Sequence, residues 1–370
     1  MNWADYLIPV SLRHKVIVTY TGEPEFEIPK TTKLAIVGVP EDRLSDGAGE
    51  IKSPGVIRKY LYALSAGSSG TVVDMGNLRT GKTLADTYYG VRDIVAELNK
   101  RNIVTLLIGG TIDVFYGCCL AMSEQKAVLT NVTPTLRLPV RSAERHPLNS
   151  IMLKKSELPL HICNVGYQSY YVTQEELDYF QDRHFETYRL GEVKTEILSG
   201  IEPVIRDSDL VALSLDAVKY SDAPAAANPS PNGFNGEEIC QLAFFAGLSH
   251  KCNSLGIFDM LPQNDLQDIT ANLAAQIAWY FIEGVKKRSE DNPKDHNQNF
   301  KKYHIYFDEL HHDLCFFKNL RTERWWMEVP SISNNANNLI ISCTPEDYAR
   351  ATEQEIPERW WKTYQRINFE

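Results

Sequence analysis

Short β-branched or apolar runs alternate along the chain with longer segments in which apolar residues recur every three or four positions. That is the pattern of a parallel sheet with helices on its faces. Eight runs have strand character: Lys33 to Val39, Thr71 to Asp74, Ile103 to Ile108, Ala127 to Val132, Leu158 to Val165, Leu210 to Leu215, Ser254 to Asp259 and Tyr303 to Phe307. Between them, Pro54 to Leu64 opens with a proline suited to a first helical turn, and Thr83 to Lys100, Phe234 to His250 and Leu266 to Lys287 keep the helical period. The expected fold is α/β, three layers α/β/α around a mostly parallel sheet of about eight strands, with any site at the strands' C-terminal edge.

The stretch from Lys286 to Lys302 is almost devoid of apolar residues and reads as an exposed loop. The strand-like run after it needs a neighbour to pair with, so it is not read as a linker. One domain over residues 1–370 is expected, with a core of about 33–310 and a Trp-rich extension, 311–370, packed on it. Glu323-Arg324-Trp325-Trp326 returns as Glu358-Arg359-Trp360-Trp361, which places four of the six tryptophans near the C-terminus. Indole burial would pin this arm to the domain. Trp and Arg also dominate interfaces, so Trp325, Trp326, Trp360 and Trp361 are candidates for contact with a protein partner.

Composition narrows the function classes. With 43% hydrophobic and 23% charged residues the chain can bury a large core. A formal charge of −10 argues against nucleic acid, whose binding draws on clustered Lys and Arg. No run approaches the roughly 20 apolar residues that span a bilayer, and the first residues, MNWADYLIPV, lack a signal-peptide pattern. No membrane partner is expected, and the cytoplasm is the expected location. The seven cysteines have no CxxC spacing and read as reduced, buried small hydrophobes. Cys118-Cys119 reads as core packing, and His161 and His304 as core histidines in strands. Asp308-Glu309-Leu310-His311-His312-Asp313 gathers metal-capable side chains without the spacing of a known site, and reads as a solvated turn.

Four blocks in order resemble the arginase, agmatinase and formimidoylglutamase (ureohydrolase) family, and formimidoylglutamase-type members most. They are Ala35-Ile-Val-Gly-Val-Pro-Glu-Asp-Arg43 with Ser53-Pro-Gly-Val-Ile-Arg58; Leu107-Ile-Gly-Gly110; Ala212-Leu-Ser-Leu-Asp-Ala-Val218 with the Pro/Gly-rich loop to Phe234; and Phe258-Asp-Met-Leu-Pro262 with Thr270-Ala-Asn-Leu-Ala-Ala275. The resemblance implies an arginase-like fold, a closed homo-oligomer and a two-metal hydrolase acting on a guanidine or amidine. In such a site two histidines and four aspartates hold the metals, which activate water.

Carried over position by position, the resemblance implies a degenerate metal site. Thr111 and Ile112 stand where the family has Asp-His, and Asn131, Thr133 and Thr135 where it has Asp-x-His-x-Asp. Ser214 and Asp216 replace its Asp-x-Asp, and Asp259 its substrate-orienting Glu. Asp216 alone keeps a ligand type, and two dications against one carboxylate are a prohibitive buried charge. Thr111 could cap the turn after Gly110, and the Asn, Thr and Ser side chains could bond among themselves. Two readings follow. The first is a pseudoenzyme used for binding, regulation or assembly, with no cofactor and only Asp216 and Asp259 as weak catalytic candidates. The second is a hydrolase of linear amidines or guanidines with a rebuilt site for manganese or another divalent metal.

Overall fold

The apolar runs form a ten-stranded sheet: β1 (Leu7–Ile8), β2 (Val18–Thr19), β3 (Leu34–Gly38), β4 (Val72–Leu78), β5 (Val104–Ile108), β6 (Ala127–Val132), β7 (Leu160–Tyr167), β8 (Glu186–Arg189), β9 (Leu210–Ser214) and β10 (Ser254–Phe258). The structure, a computed structural model, describes residues 1–11, 17–23, 25–43, 52–65, 71–123, 126–136, 160–195, 200–289, 291, 293, 299–307, 312–332 and 338–369. Strand order is β1-β4-β3-β5-β10-β9-β6-β7-β8, with β2 also on β4. Every pairing is parallel except β1 with β4. Strands β3, β5, β9 and β10 are buried at every position, as strands covered on both faces must be, which is why they read as unbroken apolar runs.

Among the described residues, eight helices accompany the sheet: α1 (Ser53–Leu61), α2 (Leu84–Lys100), α3 (Tyr116–Ala121), α4 (Gln174–Asp182), α5 (Leu190–Thr195), α6 (Glu202–Arg206), α7 (Gly236–Leu248) and α8 (Ile269–Lys286). Their apolar sides fill two cores. One lies under α1, α5, α6, α7 and α8, the other under α2 and α3, which gives the expected three layers. Helix starts follow local chemistry. Thr83 accepts from the Asp86 amide at 3.2 Å while the Asp86 carboxylate accepts from the Thr83 amide at 2.8 Å, a reciprocal cap on α2. Helices α7 and α8 meet at Gly247 and Gly284, where a Cβ would lie 2.4 Å and 2.6 Å from the other helix's carbonyls.

The run at Tyr303–Phe307 does not join this sheet. It lies in β11 (Phe300–Phe307), the first strand of a separate antiparallel sheet with β12 (His312–Asn319), β13 (Trp325–Val329) and β14 (Leu339–Cys343), in that order. With α9 (Pro345–Thr352) and α10 (Glu358–Phe369) it encloses its own apolar core. The C-terminal extension is thus a small α/β lobe that starts near residue 299. A hairpin β11–β12, paired over eight positions, supplied the neighbour that β11 needed.

Of the four tryptophans proposed as a contact surface, Trp325 and Trp360 belong to the lobe's core, and Trp326 faces Arg206 of α6. Trp325, Trp326 and Trp360 are buried, and Trp361 is 41% exposed. Trp325 stacks on Tyr303 and Tyr348, and the Trp360 indole N–H donates to the Glu328 carbonyl at 2.8 Å. His304 faces solvent instead of the core, because its strand is half-exposed. In the stretch read as an exposed loop, Asp291 is buried and accepts from Asn319 and, at 2.9 Å, from Thr322. Residues 294–298 of that loop and 308–311 of the metal-like turn lie outside the described residues.

The lobe docks near the N-terminal ends of the large sheet's strands through charge. Asp207, before β9, accepts from the Ser342 amide at 2.8 Å, the Ser342 hydroxyl at 2.7 Å and Arg359 at 2.8 Å. Arg359 also lies 3.4 Å from Glu186 of β8. Arg206 donates to the Trp325 carbonyl at 3.1 Å and sits over the Trp326 ring.

Candidate functional site at the strand ends

Strand β5 stops at Gly109 and Gly110, both in the left-handed region with φ of +84° and +80°. A Cβ on Gly109 would lie 2.6 Å from the Pro54 ring, and one on Gly110 2.9 Å from the Val39 carbonyl oxygen. Only glycine fits this turn, which delivers Thr111 and Ile112 to the C-terminal edge beside β10. Ile112 begins a 3-10 turn, Ile112–Phe115, and is fully buried in the core beneath α2 and α3. The expected Thr111 cap does not form: its hydroxyl has no partner among the described residues. The Ile112 amide instead donates to Asp259 Oδ1 at 3.0 Å.

Two strands away from β5, Ser214 ends β9, directly beside Phe258 of β10. Its hydroxyl donates to Asp259 Oδ2 and accepts from the Asp216 amide at 3.2 Å. Asp259 follows β10 with φ +65° and is 3% exposed. Asp216, also buried, accepts from the Asn228 amide at 2.7 Å and the Asn228 side chain at 3.0 Å. Thus Ile112, Ser214, Asp216 and Asp259 come together as one bonded group.

The third predicted segment stands next to β9. Asn131 of β6 pairs with Ala212 on one side and Asn164 of β7 on the other. The chain then leaves the strand: the Thr133 hydroxyl donates to the Thr135 carbonyl at 2.7 Å. Asn164 donates to the Thr133 hydroxyl at 2.7 Å and to the Thr135 carbonyl at 3.0 Å. The Thr133 hydroxyl thus bonds the Thr135 backbone and Asn164 rather than another of the predicted Asn, Thr and Ser side chains, and the buried Asn131 and Asn164 side-chain oxygens have no partner among the described residues. Asn164 and Asn228 were not singled out from the sequence. A polar residue within the buried β7 run was the available signal for Asn164.

A sequence model of the Arginase family matches residues 32–283. The chain belongs to the arginase family. Curated relatives of this arginase-family chain include formimidoylglutamases of Staphylococcus haemolyticus, 23% identical over 292 residues covering 74% of this chain and 94% of the relative, and of Staphylococcus aureus strain MRSA252, 25% identical with the same coverage. Among solved structures, Trypanosoma cruzi formiminoglutamase with Mn2+ aligns with a TM-score of 0.65 at 19% identity, covering 72% of this chain and 97% of that one. Bacillus subtilis formimidoylglutamase aligns at 0.61 and 17%, covering 78% and 92%. These structures share the arginase fold. The family match ends before β11, so the C-terminal lobe lies outside it.

The manganese named for the Trypanosoma cruzi enzyme poses a test for this arginase-family site. Hard divalent ions need anionic oxygen or imidazole donors. The positions that the resemblance matches to such donors hold Ile112, Asn131, Thr133, Thr135, Ser214 and Asp216. An alkyl group offers no lone pair, and four neutral side chains leave one carboxylate against two dications. Asp259 adds a second carboxylate, but its two oxygens already accept from Ile112 and Ser214. The residues present do not fit a manganese pair.

Among the described residues one group brings three metal-capable side chains within 4.8 Å of one another, and it lies away from the C-terminal strand ends: His161 and Cys163 of β7 with Glu186 of β8, all buried. Sequence reading put His161 and Cys163 in one strand run but did not single out Glu186, and so missed the convergence. His161 lies 3.0 Å from Glu186 Oε1, and Tyr188 donates to Oε2, which also faces Arg359. Burial would raise the Glu186 pKa, but Arg359 and His161 outweigh it and hold the carboxyl well below its usual range. A guanidinium already fills the place of a cation here, so this is the clamp on the lobe rather than a metal centre. Among the described residues, no helix is long and apolar enough to cross a membrane.

Proposed function

We propose that this arginase-family chain is a non-catalytic member used for binding, regulation or assembly, acting through the neutral polar strand ends of its large sheet. The observation that carries this reading is the donor set: of the six positions that would hold two metals, Asp216 alone is anionic. Without a metal to lower the pKa of water, the strand ends lack the nucleophile that amidine hydrolysis requires at neutral pH. Thr111, Asn131, Thr133 and Asn164 offer hydroxyls and amides suited to hydrogen-bonding a small polar ligand.

The second reading is a metal-dependent hydrolase of linear amidines or guanidines. Relatedness supports it, and on that ground it stands ahead: the relatives carry the name formimidoylglutamase, one is described with Mn2+, and agmatine ureohydrolase of Thermoplasma volcanium shares the fold. It would require a metal site rebuilt from Asp216 and Asp259 together with donors outside the positions compared above.

Metal content and turnover separate the two. The purified chain is incubated with manganese, desalted and assayed for bound metal and for turnover of formimidoylglutamate, agmatine and arginine. Our reading expects far less than one equivalent of manganese and no turnover. Near-stoichiometric metal with turnover of any of the three would overturn it.

A further inference from the structure

Asp259 has a backbone conformation that a side chain makes costly. At φ +65° an aspartate is tolerated better than most residues, yet such a position is strained. Its surroundings indicate what holds it there. The carboxylate accepts from the Ile112 amide after β5 and from the Ser214 hydroxyl that ends β9. Its own amide donates to the Gly110 carbonyl at 2.9 Å, and its carbonyl accepts from Ala227 at 2.8 Å. Ser214 continues the chain of bonds to Asp216, and Asp216 to Asn228. One buried carboxylate therefore ties the ends of three neighbouring strands, β5, β10 and β9, to the loop that covers them.

Metals coordinated from several strand ends would cross-link those same ends and neutralise the carboxylates gathered there. We infer that Asp259 is a metal-independent lock: its carboxylate, held by the Ile112 amide and the Ser214 hydroxyl, fixes the strand ends that a metal pair would otherwise have to join. This rests on the non-catalytic reading of the site. The replacements are mutually consistent with it. Ser214 supplies a hydroxyl donor where an aspartate would repel Asp259, and the shorter side chain, Asp for Glu, keeps the carboxylate at the strand ends. With Ile112, the core is filled at a position that would otherwise present a ligand.

Thermal unfolding of the full chain tests the lock, with and without manganese and with and without a chelator. For the wild type, Tm is expected to stay unchanged across all metal conditions, since a bound metal would raise it. Asp259→Gly separates lock from strain, because glycine relieves the φ penalty while losing both carboxylate bonds. The lock predicts a fall of about 5 °C for Asp259→Gly and a smaller fall for Ser214→Ala, which removes one donor and keeps the backbone. If Asp259→Gly does not fold, the Ser214→Ala melt decides alone. Variants as stable as the wild type, with no metal effect, overturn the lock and leave the non-catalytic reading standing. A wild-type Tm that rises with manganese overturns both.

Discussion

At the C-terminal ends of the large sheet's strands, the buried Asp216 and Asp259 accept from Asn228, Ser214 and a backbone amide. Toward the opposite ends, Asp207 and Glu186 accept from or face guanidinium and ammonium groups: Arg359 touches both, and Lys251 lies 3.3 Å from Asp207. Both ends bury carboxylates, but the partners differ in kind. Neutral donors hold a carboxylate in place while leaving its charge to act on whatever comes near. A fixed cation cancels the charge and binds two pieces of chain together. The first arrangement leaves a charge that an occupant could meet, and the second suits a joint. Residues of the matched family region form the first, whereas Arg359 of the second Glu-Arg-Trp-Trp motif closes the second.

The joint should break first and hardest. Arg359→Leu removes the one cation that Glu186 and Asp207 share, and breaking such a buried pair from one side costs about 3–5 kcal/mol. The expected result is a large loss of thermal stability together with fast amide exchange in α10 and β14, while β5, β9 and β10 stay protected until global unfolding. Arg359→Lys keeps the charge but not the fork and should recover part of the loss. If β5 and β9 lose protection together with α10, the lobe is not a separable element and the contrast between the two ends fails.

How far this was readable from sequence differs between the same two regions. Seven of the eight predicted runs lie in the large sheet, because strands buried on both faces advertise themselves as apolar runs. Strands β1, β2 and β8 escaped: the first two are two residues long, too short to show a period, and Glu-Thr-Tyr-Arg of β8 buries its first residue through ion pairing, to which hydrophobic periodicity is blind. The second sheet escaped for another reason, since its strands β12, β13 and β14 fall within the Trp-rich extension, which sequence reads as a single arm. At the strand ends, motif order alone located Ile112, Ser214, Asp216 and Asp259. The lock was not legible, because it depends on a left-handed backbone at Asp259 and on contacts between segments 147 and 45 residues apart.

Acid should act on the joint through a moderate, graded effect. Burial, with Arg366 adding to it, pushes His161 down to about 4, against the opposing pull of Glu186. Asp207 is lowered despite burial by Lys251 and Arg359, and Glu186 by Arg359 and His161. All three therefore have folded pKa values below their unfolded ones, so the folded state binds fewer protons. Stability is full above the ordinary histidine value of about 6.5, declines as His161 is forced to charge toward pH 4, and falls further as the two carboxylates protonate below that. Amide exchange in α10, followed between pH 7 and pH 4, should speed up relative to β5. A flat or opposite trend would remove the joint's electrostatic account, with Tyr188, Cys163, Arg359 and Arg366 the other groups facing His161 and Glu186.

The smallest effect is expected from Asp216→Asn, and its sign matters more than its size. The substitution keeps the volume and one acceptor for Asn228 but sets an amide against the second donor, at a cost of about 1–2 kcal/mol. A loss of that order, well below that of Arg359→Leu, would mean that the carboxylate serves the loop and that the two ends differ as drawn. A gain in stability would carry the opposite lesson. It would mean that the charge is a burden in the isolated chain, retained for an occupant that supplies the missing positive charge, as destabilised groups at working sites are. In that case the strand ends would be a cation site after all, and the metal-dependent reading would regain the ground that the neutral side chains had taken from it.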